Sequence, residues 1–255
     1  MRSRAARCPP PELRRNPLPS ITKLYPSLEL FSDGEPPRHT LFVFGRGVGP
    51  GSDDELLLVD PPLNAAEFFV LPPRAAAIFT APPVEAAPLA GVALVATQPG
   101  GLAHLRIGEH LLDIYSQAQS NVVLLPLLGI LCGGGFGSDV ALPRVASGSD
   151  GQGELDVLRL LAMLVRERKV QLYLPHLGAS TTDPMAMMER LADDVGYIHG
   201  LRRVVPPLVQ SGNGLERVLA LAQTLLPQAR DSAPNGALHA ANVAAIFAAT
   251  NYQPY

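Results

Sequence analysis

The residues able to do chemistry are few and scattered. Six histidines occur in 255 residues, and none stand at the H-x-H or H-x₃-H spacing that brings two imidazoles to one metal ion. His176 precedes the turn Leu177-Gly178-Ala179. It reads as a polar strand-end residue bonded to backbone, or as a residual metal ligand or acid–base group. Glu85 follows Pro82 and Pro83. It reads as a solvated turn residue, or as a lone acid at a cleft mouth. His104 and His110 flank a hairpin and are expected to face each other across it; two imidazoles make at best a weak metal site. His199 and His239 fall on helices far apart in sequence. Ser116 and Ser120 have no identifiable base, and no G-x-S-x-G elbow is present. Cys8 and Cys132 form neither a disulfide framework nor a zinc-ribbon spacing.

Two glycine-rich stretches, Gly45–Gly51 and Cys132–Gly137, are candidate phosphate cradles. Such a loop follows a strand and opens a helix, whose N–H groups then face the anion. The first leads into another strand. The second precedes a helix that begins only near Gly153. Neither carries the lysine of a P-loop. The glycines are therefore expected to supply turns of positive φ. In SGSDGQGELD, Asp150, Gly151 and Gly153 fit an exposed loop, and Glu154 and Asp156 fit a helix start; the spacing of a calcium loop is not met.

Positioning falls to short elements. HTLFVFG and ELLLVD read as strands of a hairpin with a long loop, followed by AAIFT and VALVAT. AHLRI, HLLDIYS, SNVVLLP and GILCGGG crowd into a short span, with Gly108-Glu109 as one turn, which predicts antiparallel meandering. From Gly153 to Lys169 the period changes, and Leu155, Leu158, Leu161, Leu164 and Val165 share one helical face. VQLYLP is a strand again. Thr182 or Asp183 as a cap, with Pro184 in the first turn, starts a second helix. Two more follow, GLERVLALAQTLLPQ and the alanine-rich GALHAANVAAIFAATNY, whose small residues suit close packing within the chain or a subunit contact. The order predicts an α/β sandwich with its helices outside.

Composition narrows the classes. Hydrophobic residues make up 47% and charged residues 17%, with 26 prolines and no tryptophan. That supports one sizeable core. A net charge of −3 leaves no nucleic-acid footprint on the body of the chain. The longest apolar run, Asn121–Phe136, is too short and too broken by Pro126 and glycines to span a membrane. The basic start, residues 1–18, lacks the apolar stretch of a secretory signal. It reads as a disordered tail, or as an arm for an acidic partner, and the expected location is the cytoplasm. Residues 19–255 are expected to form one domain, including the C-terminal helices.

Order and spacing from about Leu41 to Arg203 carry a resemblance. LLLVDPP ends a strand in Asp60; AIFT runs into Ala81-Pro82-Pro83-Val84-Glu85-Ala86; SQAQSNVVLLP, GILCGGGF and LYLPHLG follow in turn. This layout resembles the metallo-β-lactamase-like hydrolase superfamily. The resemblance implies an αββα sandwich of two mixed β-sheets with external helices. It also implies metal-ligand positions at Ala81, Pro83, Glu85, Ala86, Ala118, Gly134 and Leu177. Of these only Glu85 carries a ligand atom, and a shift of one residue would add His176. A catalytic zinc takes three protein ligands and a water. The resemblance thus implies a degenerate member: no cofactor, no catalytic residue, and a binding or structural role in a homo-oligomer or beside a protein partner. The alternative is a hydrolase with an atypical site around Glu85 and His176.

Overall fold

The computed structural model describes residues 19–45, 54–62, 69–80 and 92–251. Two mixed sheets face each other. The first has six strands in sequence order: β1 (Ser20–Tyr25), β2 (Leu28–Asp33), β3 (Arg38–Gly45), β4 (Glu55–Val59), β5 (Arg74–Ile78) and β6 (Ala93–Leu94). The first four are antiparallel; β4, β5 and β6 run parallel. The second sheet has the order β11-β10-β9-β8-β7. Its strands are β7 (Leu102–Ile107), β8 (His110–Gln117), β9 (Ser120–Leu125), β10 (Ile130–Gly134) and β11 (Leu172–Pro175). The meander β7–β10 is antiparallel, and β11 joins parallel to β10. That connection passes through α1 (Gln152–Glu167), as a parallel crossover requires.

Alternation sorts the side chains into three layers. Leu28, Leu30, Leu41, Val43, Leu57 and Val59 point inward to meet Leu112, Ile114, Val123, Leu125 and Cys132 of the second sheet. Val122, Leu124 and Leu131 point the other way, onto the helices. There α1 buries Leu155, Leu158, Leu161, Leu164 and Val165, the face its period predicts. On the outer face of the first sheet Phe31, Phe42, Leu56, Leu58 and Ala77 form a third cluster. α2 (Pro184–Gln210) begins as expected: Asp183 is its cap and accepts from Met185 N at 2.9 Å. α3 (Leu215–Ala222) and α4 (Ala233–Asn251) pack against α2 and each other. Among the described residues no helix is long and apolar enough to cross a membrane.

Several expectations need correction. β1 and β2 precede the first hairpin and were not anticipated; their signal is the in–out alternation of Leu28, Glu29, Leu30 and Phe31. VALVAT contributes only Ala93–Leu94 to the sheet. GLERVLALAQTLLPQ breaks after Ala222 into 3₁₀ turns at Gln223–Leu225 and Gln228–Arg230. α2 continues through Pro206 and Pro207 to Gln210. His104 and His110 do not face each other. The two-residue turn sets Ile107 opposite His110 and His104 opposite Asp113. Cross-strand partners share a face and residues three apart along a strand do not, so the two imidazoles lie on opposite faces.

Candidate functional site

The strand-end mouth of the sandwich collects Asp60, Thr80, Gly134 and His176. β4 is an apolar strand whose last four residues are buried. The chain then turns at Asp60, which takes a left-handed φ of 55° before two prolines. Its N–H donates to Ile78 O at 2.9 Å. Its carboxylate accepts from Thr80 N at 2.7 Å and, at the second oxygen, from the Thr80 hydroxyl. Asp60 is 6% exposed. Burial raises its pKa above the ordinary 3.8, while the nearby His176 and the two Thr80 hydrogen bonds pull it down.

Gly134 ends β10 with φ 65°. A Cβ there would lie 3.0 Å from both the carbonyl oxygen and the hydroxyl of Thr80. Thr80 would therefore crowd any side chain at Gly134. His176 N donates to Gly134 O at 2.7 Å, which fixes the residue at the end of β11. Its side chain is 39% exposed, and Nδ1 stands 4.0 Å from Asp60 Oδ2, beyond hydrogen-bond distance. That Nδ1 is buried and has no hydrogen-bond partner among the described residues. The backbone-bonded reading of His176 holds for its main chain and not for its ring.

The surrounding turn is pinned. His39 N donates to His176 O at 3.2 Å. The His39 ring lies 2.7 Å from Gly178 O through Nε2 and 2.9 Å from Ser32 Oγ through Nδ1. A carbonyl can only accept, so Nε2 carries the proton and Nδ1 accepts from Ser32. Burial lowers the His39 pKa, which keeps the ring neutral. The Leu177 carbonyl accepts from Ser138 Oγ at 2.6 Å. Cys132 lies buried in β10, where burial and the charge of Asp60 push its thiol pKa up and make it unreactive.

Of the other anticipated positions, Ala118 does not converge here. Ala118 sits in the turn between β8 and β9 with φ 51°. A Cβ built on Gly153 would lie 2.9 Å from its methyl group, so Ala118 packs on the first turn of α1. Ala81, Pro83, Glu85 and Ala86 lie outside the described residues. Ser116 donates to Asn121 Oδ1 at 2.7 Å and has no base. The Gly137 N–H donates to Asp194 Oδ2 at 2.7 Å, a side-chain carboxylate in place of a phosphate. Gly134 and Gly137 do have the positive φ expected of turns. Among the described residues no three or more His, Cys, Asp or Glu side chains stand where they could hold a metal ion.

A second polar assembly was missed. Asn235, His239 and Asn242 form a buried stripe on α4. Asn235 accepts from Leu142 N and donates to Val140 O; Asn242 accepts from Val145 N and donates to Pro143 O. Asn242 also donates to Tyr197 Oη at 3.1 Å, and Tyr197 Oη is 3.0 Å from His239 Nδ1. His239 Nε2 donates to Ala222 O at 3.1 Å, so Nδ1 is the acceptor. Beside it Arg230 donates to buried Asp194 at 2.5 Å. The spacing Asn-x₃-His-x₂-Asn on an apolar helix was the available signal.

Two facing mixed sheets, a parallel last strand entered through a helix, and a site at the strand ends define the metallo-β-lactamase fold, and this chain has it. The sec-alkylsulfatase Pisa1 from Pseudomonas sp. aligns over 90% of this chain and 50% of its own, with a TM-score of 0.59 and 10% identity. This chain thus spans about half the length of that enzyme. A beta-lactamase domain protein from Burkholderia ambifaria aligns over 92% of this chain and 89% of its own, with a TM-score of 0.55 and 10% identity. A metallo-beta-lactamase from Pontibacter korlensis aligns over 69% of this chain and 99% of its own at 16% identity, with a TM-score of 0.49. No family model matches the sequence, and no curated protein matches it.

Proposed function

We propose that the protein is a catalytically inactive metallo-β-lactamase-fold module with a binding or structural role. One observation carries this reading: Thr80 donates to both oxygens of Asp60 and would crowd a side chain at Gly134, whose Cβ would stand 3.0 Å from it. A metal-activated hydroxide needs about three protein ligands around an open position. Among the described residues the mouth does not offer such a set: Asp60 already accepts a hydrogen bond at each oxygen, Gly134 and Leu177 have no side-chain ligand atom, and His176 supplies a single imidazole. On this reading residues 19–255 act as one domain in the cytoplasm, as a homo-oligomer or beside a protein partner. Zinc titration followed by thermal melting tests it. A ligand at a hundred times its Kd stabilises a fold by about 2.7 kcal/mol. The expected result is an unchanged Tm with zinc at a few equivalents; a saturable rise of several degrees would overturn the reading.

A second reading is favoured by the unpartnered Nδ1 of His176. With its ring half exposed and Asp60 Oδ2 4.0 Å from Nδ1, His176 would act as a general base oriented by that carboxylate once the gap closes to hydrogen-bond distance. The atypical-hydrolase alternative would then rest on Asp60 and His176, with Glu85 as a third group. His176→Ala separates the two readings, since it abolishes turnover of any substrate found under the second and leaves partner binding and fold intact under the first.

A further inference from the structure

The outer face of the first sheet carries an aromatic groove of about 210 Å³. Phe42, 4% exposed, forms its floor, stacked on half-buried Phe44 at 6.1 Å and 12° and met edge-on by half-buried Phe69 at 4.8 Å. Glu29 supplies a carboxylate, and Ile21 and Val70 stand on the rim, 59% and fully exposed. Among the described residues, the helices α1 to α4 contribute to the cluster on the other sheet and not to this one. Aromatic rings beside an acid are the chemistry that takes a polyproline segment. Pyrrolidine rings pack flat on aromatic faces, proline has no N–H to desolvate, and the extended helix is already formed before docking.

This chain carries such a segment outside the described residues: Pro9-Pro10-Pro11-Glu12-Leu13-Arg14-Arg15. It leads to Pro19, next to the strand whose Ile21 borders the groove. We propose that the groove docks this proline-rich segment of the same chain. A polyproline helix repeats every three residues, so Pro10 and Leu13 share one edge and Pro11 and Arg14 the next. Arg14 then has Glu29 as its counterion. Glu29 stands opposite Lys23 in register, so its charge orients the segment more than it binds it. Pro11 lies about ten residues before Ile21, a reach of roughly 30 Å at about 3.1 Å per residue. That exceeds the roughly 20 Å of a six-residue strand, which lets the segment double back over the sheet. Tethering supplies an effective concentration in the mM range, so a contact too weak to hold a free peptide is occupied here.

Paramagnetic relaxation on the full chain tests this. Cys132 is 3% exposed and its thiol is held protonated by burial, so a nitroxide reagent goes to Cys8. Ile21 is close to the label in sequence and is not informative. The amides of Phe44, Leu56 and Val70 are. The expected result is at least a twofold loss of their intensity relative to amides of α1, restored by reduction of the nitroxide. The combined variant Pro9→Gly, Pro10→Gly and Pro11→Gly leaves every described element unchanged and removes the loss. Equal intensities at Phe44, Leu56, Val70 and α1 would overturn the proposal, as would a loss that survives the glycine variant. Loss seen only when labelled and isotope-enriched chains are different molecules would also overturn it, because the occupant would then be the tail of a second copy.

Discussion

Asp60 is buried at the strand-end mouth, 6% exposed. Both carboxylate oxygens go to Thr80, and burial raises the folded-state pKa above 3.8. A raised pKa means that the folded protein binds the proton more tightly than the unfolded chain. The stability tied to that proton is fully present below 3.8 and is lost as pH rises through the folded-state value. Asp60→Asn cannot ionise, yet its amide still accepts from the Thr80 N–H. The free energy of unfolding of Asp60→Asn should therefore gain on the parent as pH rises from about 4 to about 8, measured by urea denaturation. A difference that stays flat or falls with pH would show that burial does not govern this carboxyl. Ala118 makes a second residue-scale case. It holds φ 51°, where a Cβ costs about 1 kcal/mol relative to glycine. Ala118→Gly should raise Tm by a few degrees in calorimetry; an unchanged or lower Tm would mean that the methyl contact with α1 outweighs the strain.

At the scale of elements, α4 acts as a clamp on the loop from Val140 to Val145. Asn242 alone serves Val145 N, Pro143 O and Tyr197 Oη. Asn242→Ala leaves Val145 N and Pro143 O unpaired in a buried setting, where each costs about 1–3 kcal/mol, while Tyr197 Oη keeps His239. A total loss of about 3 kcal/mol is expected, read as a lower urea midpoint with an unchanged slope; a loss below about 1 kcal/mol would show that water replaces the amide. Burial lowers the His239 pKa, so its share of stability is present above the ordinary 6.5 and is lost as pH falls below it. Much of this level was legible in the sequence. The leucine period of α1 and the Asp183-Pro184 start of α2 are local signals, and both elements form as read. The failures are tertiary. Pro206 and Pro207 remain helical although proline in a helix interior costs about 3 kcal/mol, and nothing local announces that the last turn survives. VALVAT has strand composition, yet its ladder on β5 is only Ala93 and Leu94, with one further bond from Val95 N to Ala77 O.

At the scale of the whole molecule, the order of strands and helices was enough to anticipate an α/β sandwich with its helices outside, and the two mixed sheets followed only from the resemblance. The site was legible mainly as what it lacks. Alanine at 118, glycine at 134 and leucine at 177 can be read from the chain. The seal between Asp60 and Thr80 cannot, because it joins the ends of two parallel strands whose register only the folded sheet sets. The same holds for the unpartnered Nδ1 of His176, which depends on a 4.0 Å gap to Asp60. The central claim is that this mouth does not bind a catalytic metal. Elemental analysis of protein purified without a His tag from zinc-supplemented medium tests it most directly. The account predicts less than about 0.1 equivalent of zinc, iron or manganese per chain, whereas about one or two equivalents that survive dialysis would contradict it.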